Sequence, residues 1–484
     1  MSPCVRETHG AGTIVRSPGE TTVTLSRRQF LTGCSSAALV GTVTGCAGPF
    51  GSQKSYLTDV VAPANVSTVF HWTDVALQAL RDQLVPPPLA TRAMAMGHVA
   101  GFLAVNGIEQ RYESGYAIGQ APAGADPDVA YGVAAATAFA EHFQQPMLFD
   151  RMAFLKRFPD GEAKSLGRDW GRRVGKFVVR LRTNDGAEPS KADVYLGRYP
   201  RRNDVLRWRP TGPMFASGAT EPAFRETYHR GLLPGFGRVK PWAIRSAEQF
   251  QAPQFPDPAS PEFAREYVEV KELGASDSHS RTQDQTQIAF FWEDGPWGVS
   301  PPGHFIIIAM QIYQHLPMRL IEQARAMALT SMAVADAGIA TWNSKYTHDI
   351  IRPETAIRYR AAQFHNPDPR VAEQRNWKSL IPTPPFPAYT SGHSAFGAAV
   401  TKMVANIIGR DTIAFSKKAA DTVIWPDHLS GVTRHWRSLS AAADENGMSR
   451  IYGGVHWMAD NVHALRAGRG IADYVFRTQF RRRV

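Results

Sequence analysis

Ser449-Arg450-Ile451-Tyr452-Gly453-Gly454-Val455-His456-Trp457-Met458-Ala459-Asp460 is the stretch whose reading decides this chain. An arginine is followed by a glycine pair, a histidine and, four residues later, an aspartate. At that spacing the carboxylate can hydrogen-bond one imidazole nitrogen and leave the other as ligand or nucleophile. Upstream, Ser391-Gly392-His393 opens an apolar run of small residues with helical periodicity that stops at Gly409. Backbone N–H groups at such a helix start favour phosphate-like anions. Further upstream, Lys345 precedes Arg352-Pro353 by seven residues, close to two helical turns. That spacing predicts Lys345 and Arg352 on one helix face, with Pro353 ending the helix near Arg352.

These residue types suit a tetrahedral oxyanion, whose charged oxygens point in several directions. Arg352 and Arg450 supply planar forks and Lys345 a point charge. Each contact near 4 Å is worth about 4 kcal/mol at an effective dielectric of about 20, before desolvation is subtracted. The cations would repel one another without carboxylates nearby; Asp460, and Asp294 in Phe291-Trp292-Glu293-Asp294-Gly295, are the candidates. Gly453 and Gly454 are expected to let backbone approach the ligand.

The residues from Pro384 to His393 and from Ser449 to Trp457 resemble the chloroperoxidase branch of the vanadium-dependent haloperoxidases, which share a site pattern with the type-2 phosphatidic acid phosphatase superfamily. Upstream the likeness reaches only residues 291–305, with Pro301-Pro302-Gly303, and residues 55–285 carry no quotable match. Thr390 stands where the family usually has Pro. The resemblance implies vanadate as cofactor, bonded through His456, with Lys345, Arg352, Ser391, Gly392 and Arg450 on its oxygens. It further implies His393 as acid–base catalyst towards hydrogen peroxide and Lys345 as a polarising group. The substrates implied are peroxide, a halide and a small organic acceptor. Trp342 and Phe386 fall at the halide-pocket positions, where a Phe resembles the chloride-oxidising branch; taken singly, both read equally as core rings.

Three functions follow. The first is a haloperoxidase making hypohalous acid. The second is a soluble acid phosphatase, holding phosphate with the same residues: His456 is its nucleophile, Asp460 orients that ring and His393 protonates the leaving group. The third is an oxyanion-binding protein without turnover, which has no use for an acid–base residue at His393. His348, His428, His435 and His463 lack the paired spacing of a zinc site.

At the other end, Ser26-Arg27-Arg28-Gln29-Phe30-Leu31 matches the twin-arginine export pattern, and Val43-Thr44-Gly45-Cys46 resembles a lipoprotein cleavage box. Residues 1–46 are therefore expected to export the folded chain to the periplasm or the extracellular space. Either Cys46 is acylated as a membrane anchor, or the chain is cleaved nearby without lipid. The three cysteines, Cys4, Cys34 and Cys46, lie in or beside this segment, so no disulfide is expected beyond it. Removing residues 1–45 takes four basic and two acidic residues and lowers the net charge from +11 to +9. No nucleic-acid motif or basic run precedes Arg481-Arg482-Arg483, so the charge reads as solvated surface that attracts small anions rather than nucleic acid.

A linker over residues 47–63 leads to a mainly helical domain, residues 64–484, with the oxyanion site inside 342–460. Helices are predicted over 90–105, 129–143, 165–181, 261–273, 283–292, 302–316, 318–342, 391–408, 433–452 and 460–480, and alternating strand patterns are scarce. No apolar run beyond the export segment is long enough to span a membrane. The expected fold is all-α, two packed helical bundles of the haloperoxidase and acid phosphatase type, as the resemblance implies.

Overall fold

Twenty-nine residues, Leu320–His348, form one helix that packs on both halves of the described structure. The structure is a computed structural model describing residues 67–143, 148–187, 196–198, 204–209, 230–295, 298–419 and 425–483. These lie within one compact unit, Lys54–Val484. The export motif, the cleavage box with Cys46 and the linker lie outside the described residues.

Fourteen helices are described: α1 (Thr68–Asp82), α2 (Pro87–Glu109), α3 (Pro127–Phe143), α4 (Arg151–Leu155), α5 (Glu162–Arg182), α6 (Pro261–Leu273), α7 (Gln283–Phe291), α8 (Ser300–Gln314), α9 (Leu320–His348), α10 (Pro353–Tyr359), α11 (Gly392–Ile408), α12 (Pro426–Leu429), α13 (Leu439–Tyr452) and α14 (Met458–Thr478). The helical architecture expected from sequence is the architecture observed. The first bundle packs α2, α3 and α5 together, and α2 packs against α9. In the second, α11 is the axis, with α8, α9, α13 and α14 around it. Alanine and other small buried residues all along α9 explain how one helix serves both, since short side chains let neighbours approach from every side. Its one buried carboxylate, Asp336, accepts the amides of Trp242, Ala243 and Ile244 at 2.7–2.9 Å, which ties the incoming chain to the middle of the helix.

Strands are few and short. β1 (Leu196–Arg198) pairs antiparallel with β2 (Arg230–Leu232), and β3 (Phe415–Lys418) with β4 (Thr433–Trp436). The second ribbon corrects the helix predicted over 433–452. Residues 433–436 are strand, and α13 starts only after Ser438, whose hydroxyl caps it by accepting from the Ala441 amide. A second correction concerns α9, which runs past Trp342 to His348 and stops at Asp349 in a left-handed conformation. Arg352 is instead the residue capping the start of α10, so Lys345 and Arg352 do not share a helix face. Pro353 at the first helical position places the break between them.

The glycine pair also differs from expectation. Gly454 has φ +77°, and a Cβ there would collide with the Gly274 carbonyl, while one on Gly453 would meet the Ile381 side chain. Their smallness brings two backbone segments together rather than backbone to ligand. Gly454→Ala is therefore expected to cost about 2–4 kcal/mol and lower the thermal unfolding midpoint, because the αL strain and the clash add. A midpoint equal to the parent's would show that this crossing gives way freely.

Candidate active site

Four separate chain segments are stitched together beneath the N-terminus of α11. The Ile351 amide donates to Leu206 O at 2.7 Å, and the Ala388 amide to Ile350 O at 2.9 Å. Ser391 N–H donates to Asp460 O at 3.0 Å, and the Trp457 indole to Ile351 O at 2.8 Å. These backbone ties bring residues 345–352, 386–393 and 450–460 to one place.

His456 and Asp460 occupy the end of one tie, at the start of α14. His456 Nδ1–H donates to Asp460 Oδ2 at 2.6 Å, and the same oxygen accepts the Trp457 amide at 3.0 Å. Nε2 is thereby left with its lone pair, 3.1 Å from Nη1 of Arg352. Burial, followed by the charges of Arg352, Lys345 and Arg450, holds the imidazole well below the ordinary histidine range. Burial also pushes the Asp460 carboxyl up to about 7, against the Trp457 amide and the charges of Lys345 and Arg352. A neutral imidazole with a fixed tautomer is what a ligand or nucleophile requires.

The cations are buried and differ in how they are satisfied. Arg352 donates through Nε to Phe386 O at 2.8 Å and through Nη1 to Val455 O at 2.7 Å. Arg450 donates through Nη1 to Trp292 O at 3.1 Å. Nη2 of Arg352 and Nε of Arg450 are buried with no partner among the described residues. Burial lowers Arg352 to about 9 and Arg450 to about 10, and both remain cations at neutral pH. Lys345 differs from its expected role. Its Nζ donates to Pro387 O and Ala388 O at 3.0 Å and to Thr390 O at 2.5 Å, so three ammonium protons meet three carbonyls. In this structure Lys345 clasps the loop leading into Ser391, which holds that loop where the family's usual proline is replaced by Thr390. Burial and then the Arg352 charge hold the lysine well below its usual range.

Ser391 caps α11, its hydroxyl accepting from the Ser394 amide at 3.3 Å. Gly392 and His393 are the first residues of that helix, where N–H groups have no intrahelical acceptor. His393 donates through Nε2 to Glu293 O at 3.2 Å, which leaves Nδ1 with the lone pair, and its own carbonyl accepts from Asn446 Nδ2 at 2.8 Å. Burial, then Arg450, pushes its pKa well below the ordinary value. Trp342 and Phe386 lie with ring centroids 5.2 Å apart, and Lys345 Nζ is 4.9 Å from the Phe386 centroid. Arg352 sits 4.8 Å from the same ring.

Asp294 pairs with His304 Nδ1 at 2.9 Å, and its charge, with that of Glu293, favours the ionised form of Arg450. Sequence reasoning missed Glu293, which is the stronger of these two supports and also the acceptor for His393. Its signal was present, since it adjoins Asp294, but a carboxylate in a segment without periodicity does not announce where it points. Asn446 was missed for a different reason: it lies mid-helix with no motif around it.

Residues 325–483 match the family model described as VCPO second helical-bundle domain. The match lies within the C-terminal bundle. A vanadium chloroperoxidase of Curvularia inaequalis is 30% identical over 170 residues, which is 28% of this chain and 28% of that relative. The alignment thus spans little more than a quarter of the curated relative's length. Among solved structures, a bacterial vanadium-dependent iodoperoxidase is similar with a TM-score of 0.69 and 24% identity, over 85% of this chain and 96% of that one. An apo-type bacterial vanadium-dependent chloroperoxidase follows with a TM-score of 0.62 and 20% identity, over 81% and 94% of the two chains. These likenesses carry the haloperoxidase fold beyond the matched bundle into the N-terminal helices.

Proposed function

We propose that this chain is a vanadate-dependent haloperoxidase, oxidising a halide with hydrogen peroxide to hypohalous acid. The reading rests on one observation: a buried, neutral His456 whose Nδ1–H is committed to Asp460 and whose Nε2 accepts from Arg352 Nη1 at 3.1 Å, with Arg352 and Arg450 each keeping a buried N–H group that has no partner among the described residues. Such a set, all donors around one nitrogen acceptor, fits an oxyanion that also takes a ligand, as vanadate does.

His456 would hold vanadium through Nε2, and Arg352, Arg450, Ser391 and the Gly392 amide would hold the oxygens. Vanadate, when bound, supplies a Lewis acid that activates peroxide without a change in its own oxidation state. The protein's residues do the rest. Asp460 keeps the proton on Nδ1 of His456 and thereby keeps Nε2 available. His393 Nδ1 takes the proton that peroxide loses, while Nε2–H anchored on Glu293 O fixes the tautomer. Lys345 holds the 387–390 loop, and with it the start of α11, in register with His456. Trp342 and Phe386 place apolar ring faces beside Lys345 and Arg352, a setting for a weakly hydrated anion such as a halide, and this tilts the reading away from a phosphatase.

The test is halogenation of a phenolic dye by the purified protein, with peroxide and bromide or chloride, before and after orthovanadate is added. Hydrolysis of a chromogenic phosphate ester is measured in parallel. Halogenation that depends on vanadate is the expected result. Ester hydrolysis inhibited by vanadate, with no halogenation, would make the chain an acid phosphatase working through a phosphohistidine at His456.

A further inference from the structure

The net charge of +11 is not spread evenly along the chain. Residues 151–182, which hold α4 and α5, carry ten lysines and arginines against three acids, a net +7. Within α5 the basic residues follow a rule: Lys164, Arg168, Arg172, Lys176 and Arg180 recur at every fourth position. Residues four apart are neighbours on a helix surface, so the five form one ridge about 24 Å long. Trp170, Val174 and Val178 are buried on the opposite side, where Gly171 and Gly175 bring α5 against the Ala130 and Ala134 carbonyls of α3. The ridge therefore looks outward, with Arg172, Lys176 and Arg180 exposed and Arg173 exposed beside them.

Acids answer only the first end of this ridge. Lys164 pairs with Asp160 at 2.8 Å and Arg168 with Asp169 at 2.9 Å. Residues 170–182 contain no acid, and Arg172, Arg173, Lys176 and Arg180 make no ion pair among the described residues. Like charges at i, i+4 destabilise a helix, a strain that a surface of opposite charge relieves. Neighbouring segments widen the patch. Arg151 on α4 donates through Nη1 to Thr137 Oγ1 at 3.0 Å, the same threonine that a Cβ on Gly175 would meet, which places it beside α5 near Lys176. Met152 follows it and is 68% exposed, the most exposed large apolar side chain among the described residues. On the other flank Tyr116 packs against Phe177 of α5 and against Phe480, with centroids 6.4 and 6.5 Å apart, and the exposed Arg481-Arg482-Arg483 follow directly. Arg481 is taken by Glu113, so Arg482 and Arg483 are what this flank adds.

We propose that the α5 ridge docks this protein on an anionic phospholipid surface, with Met152 entering the headgroup layer beside it. Two features select a bilayer over nucleic acid. No exposed ring stands along the ridge on which bases could stack, since Trp170 is buried and Phe177 half-buried. An exposed methionine gains nothing from a phosphate backbone but is stabilised at the acyl boundary of a bilayer, as on amphipathic helices that lie in a membrane interface. The chain also enters the described structure at this end of the bundle. Thr68 Oγ1 donates to Asp128 Oδ1 at 2.7 Å at the start of α3, and the Asp126 amide to Ala163 O at 3.0 Å at the start of α5. Cys46, which the cleavage-box reading makes a lipid anchor, precedes Ser67 by 21 residues.

Sedimentation of the purified full chain with vesicles tests this at about 0.1 M salt, using phosphatidylglycerol and phosphatidylcholine in equal parts and phosphatidylcholine alone. The parent is expected to prefer the anionic vesicles. Each basic residue near an anionic surface contributes about fivefold, so Arg172→Gln with Lys176→Gln is expected to bind them about 25-fold more weakly. Both positions are exposed and glutamine is a good helix former, so this variant is expected to keep its fold. Arg410→Gln with Arg437→Gln removes the same charge from exposed positions elsewhere and is expected to change binding less than about twofold. Every variant carries the same residues 1–46, so any contribution of theirs cancels in the ratios. Equal losses in the two double variants, or no loss in the first, would overturn the proposal. Met152→Ser separates a bilayer from a soluble polyanion: it is expected to weaken vesicle binding about tenfold and to leave heparin binding unchanged. Heparin or duplex DNA bound as tightly as the vesicles, with Met152→Ser affecting neither, would make the ridge a general polyanion surface and overturn the membrane assignment.

Discussion

Replacing His456 by alanine is expected to weaken orthovanadate binding by well over the roughly 10–100-fold that loss of an outer-shell partner costs a metal site. The argument is one of kind as well as size. Arg352 and Arg450 draw any anion through charge, and the start of α11 adds backbone N–H groups, so a weak electrostatic affinity for vanadate and phosphate alike survives the substitution. What disappears is the Nε2 lone pair of His456, whose availability depends on the 2.6 Å hydrogen bond from Nδ1 to Asp460. Titration calorimetry with orthovanadate and with phosphate checks this. The parent is expected to bind vanadate far more tightly than phosphate, and in the variant the two affinities are expected to become similar. Tight, vanadate-selective binding by His456→Ala would remove the assignment of His456 as the vanadium ligand.

His393→Ala is expected to leave vanadate affinity close to the parent's while turnover falls by about 10²–10⁴, the range for a lost general acid–base residue. Among the described residues no hydrogen bond joins the His393 ring to the arginines or to His456; its Nε2 goes to Glu293 O, and Asn446 holds the residue through its carbonyl. Removing the ring therefore spares the anion site. The pH behaviour gives the sign. Neutral imidazole is the competent base, and a pKa held well below 6.5 keeps it neutral across most of the working range. Activity dependent on His393 is lost only as pH falls well under 6.5, and that acid limb is absent from the residual activity of the variant. Unimpaired turnover would assign the proton transfer elsewhere.

The chemistry of the site was more legible in the chain than its geometry. Arg352, Arg450, His393, His456 and Asp460 are residue types with narrow uses, and their order over three short segments confined the reading to an oxyanion. The destination of Lys345 was not legible, because backbone carbonyls look alike in any sequence and the lysine's three acceptors come from a loop 42–45 residues away. The split between Lys345 and Arg352 was half legible: Pro353 announced a break, but the left-handed Asp349 that ends α9 carries no glycine to mark it. Most long helices showed in apolar periodicity. α1 did not: residues 68–82 lie inside the predicted domain but outside every predicted helix. The ribbon of β3 and β4 was missed because its four-residue strands are too short for alternation to register. Glu293 was hidden for the same physical reason as Lys345, in that its importance lies in what surrounds it rather than in its neighbours along the chain.

A crystal structure of the protein grown with orthovanadate tests the central claim most directly. The account predicts vanadium at bonding distance from Nε2 of His456, with its oxygens on Arg352, Arg450 and the first residues of α11. Vanadate bound elsewhere, or bound without contact to His456, would contradict it.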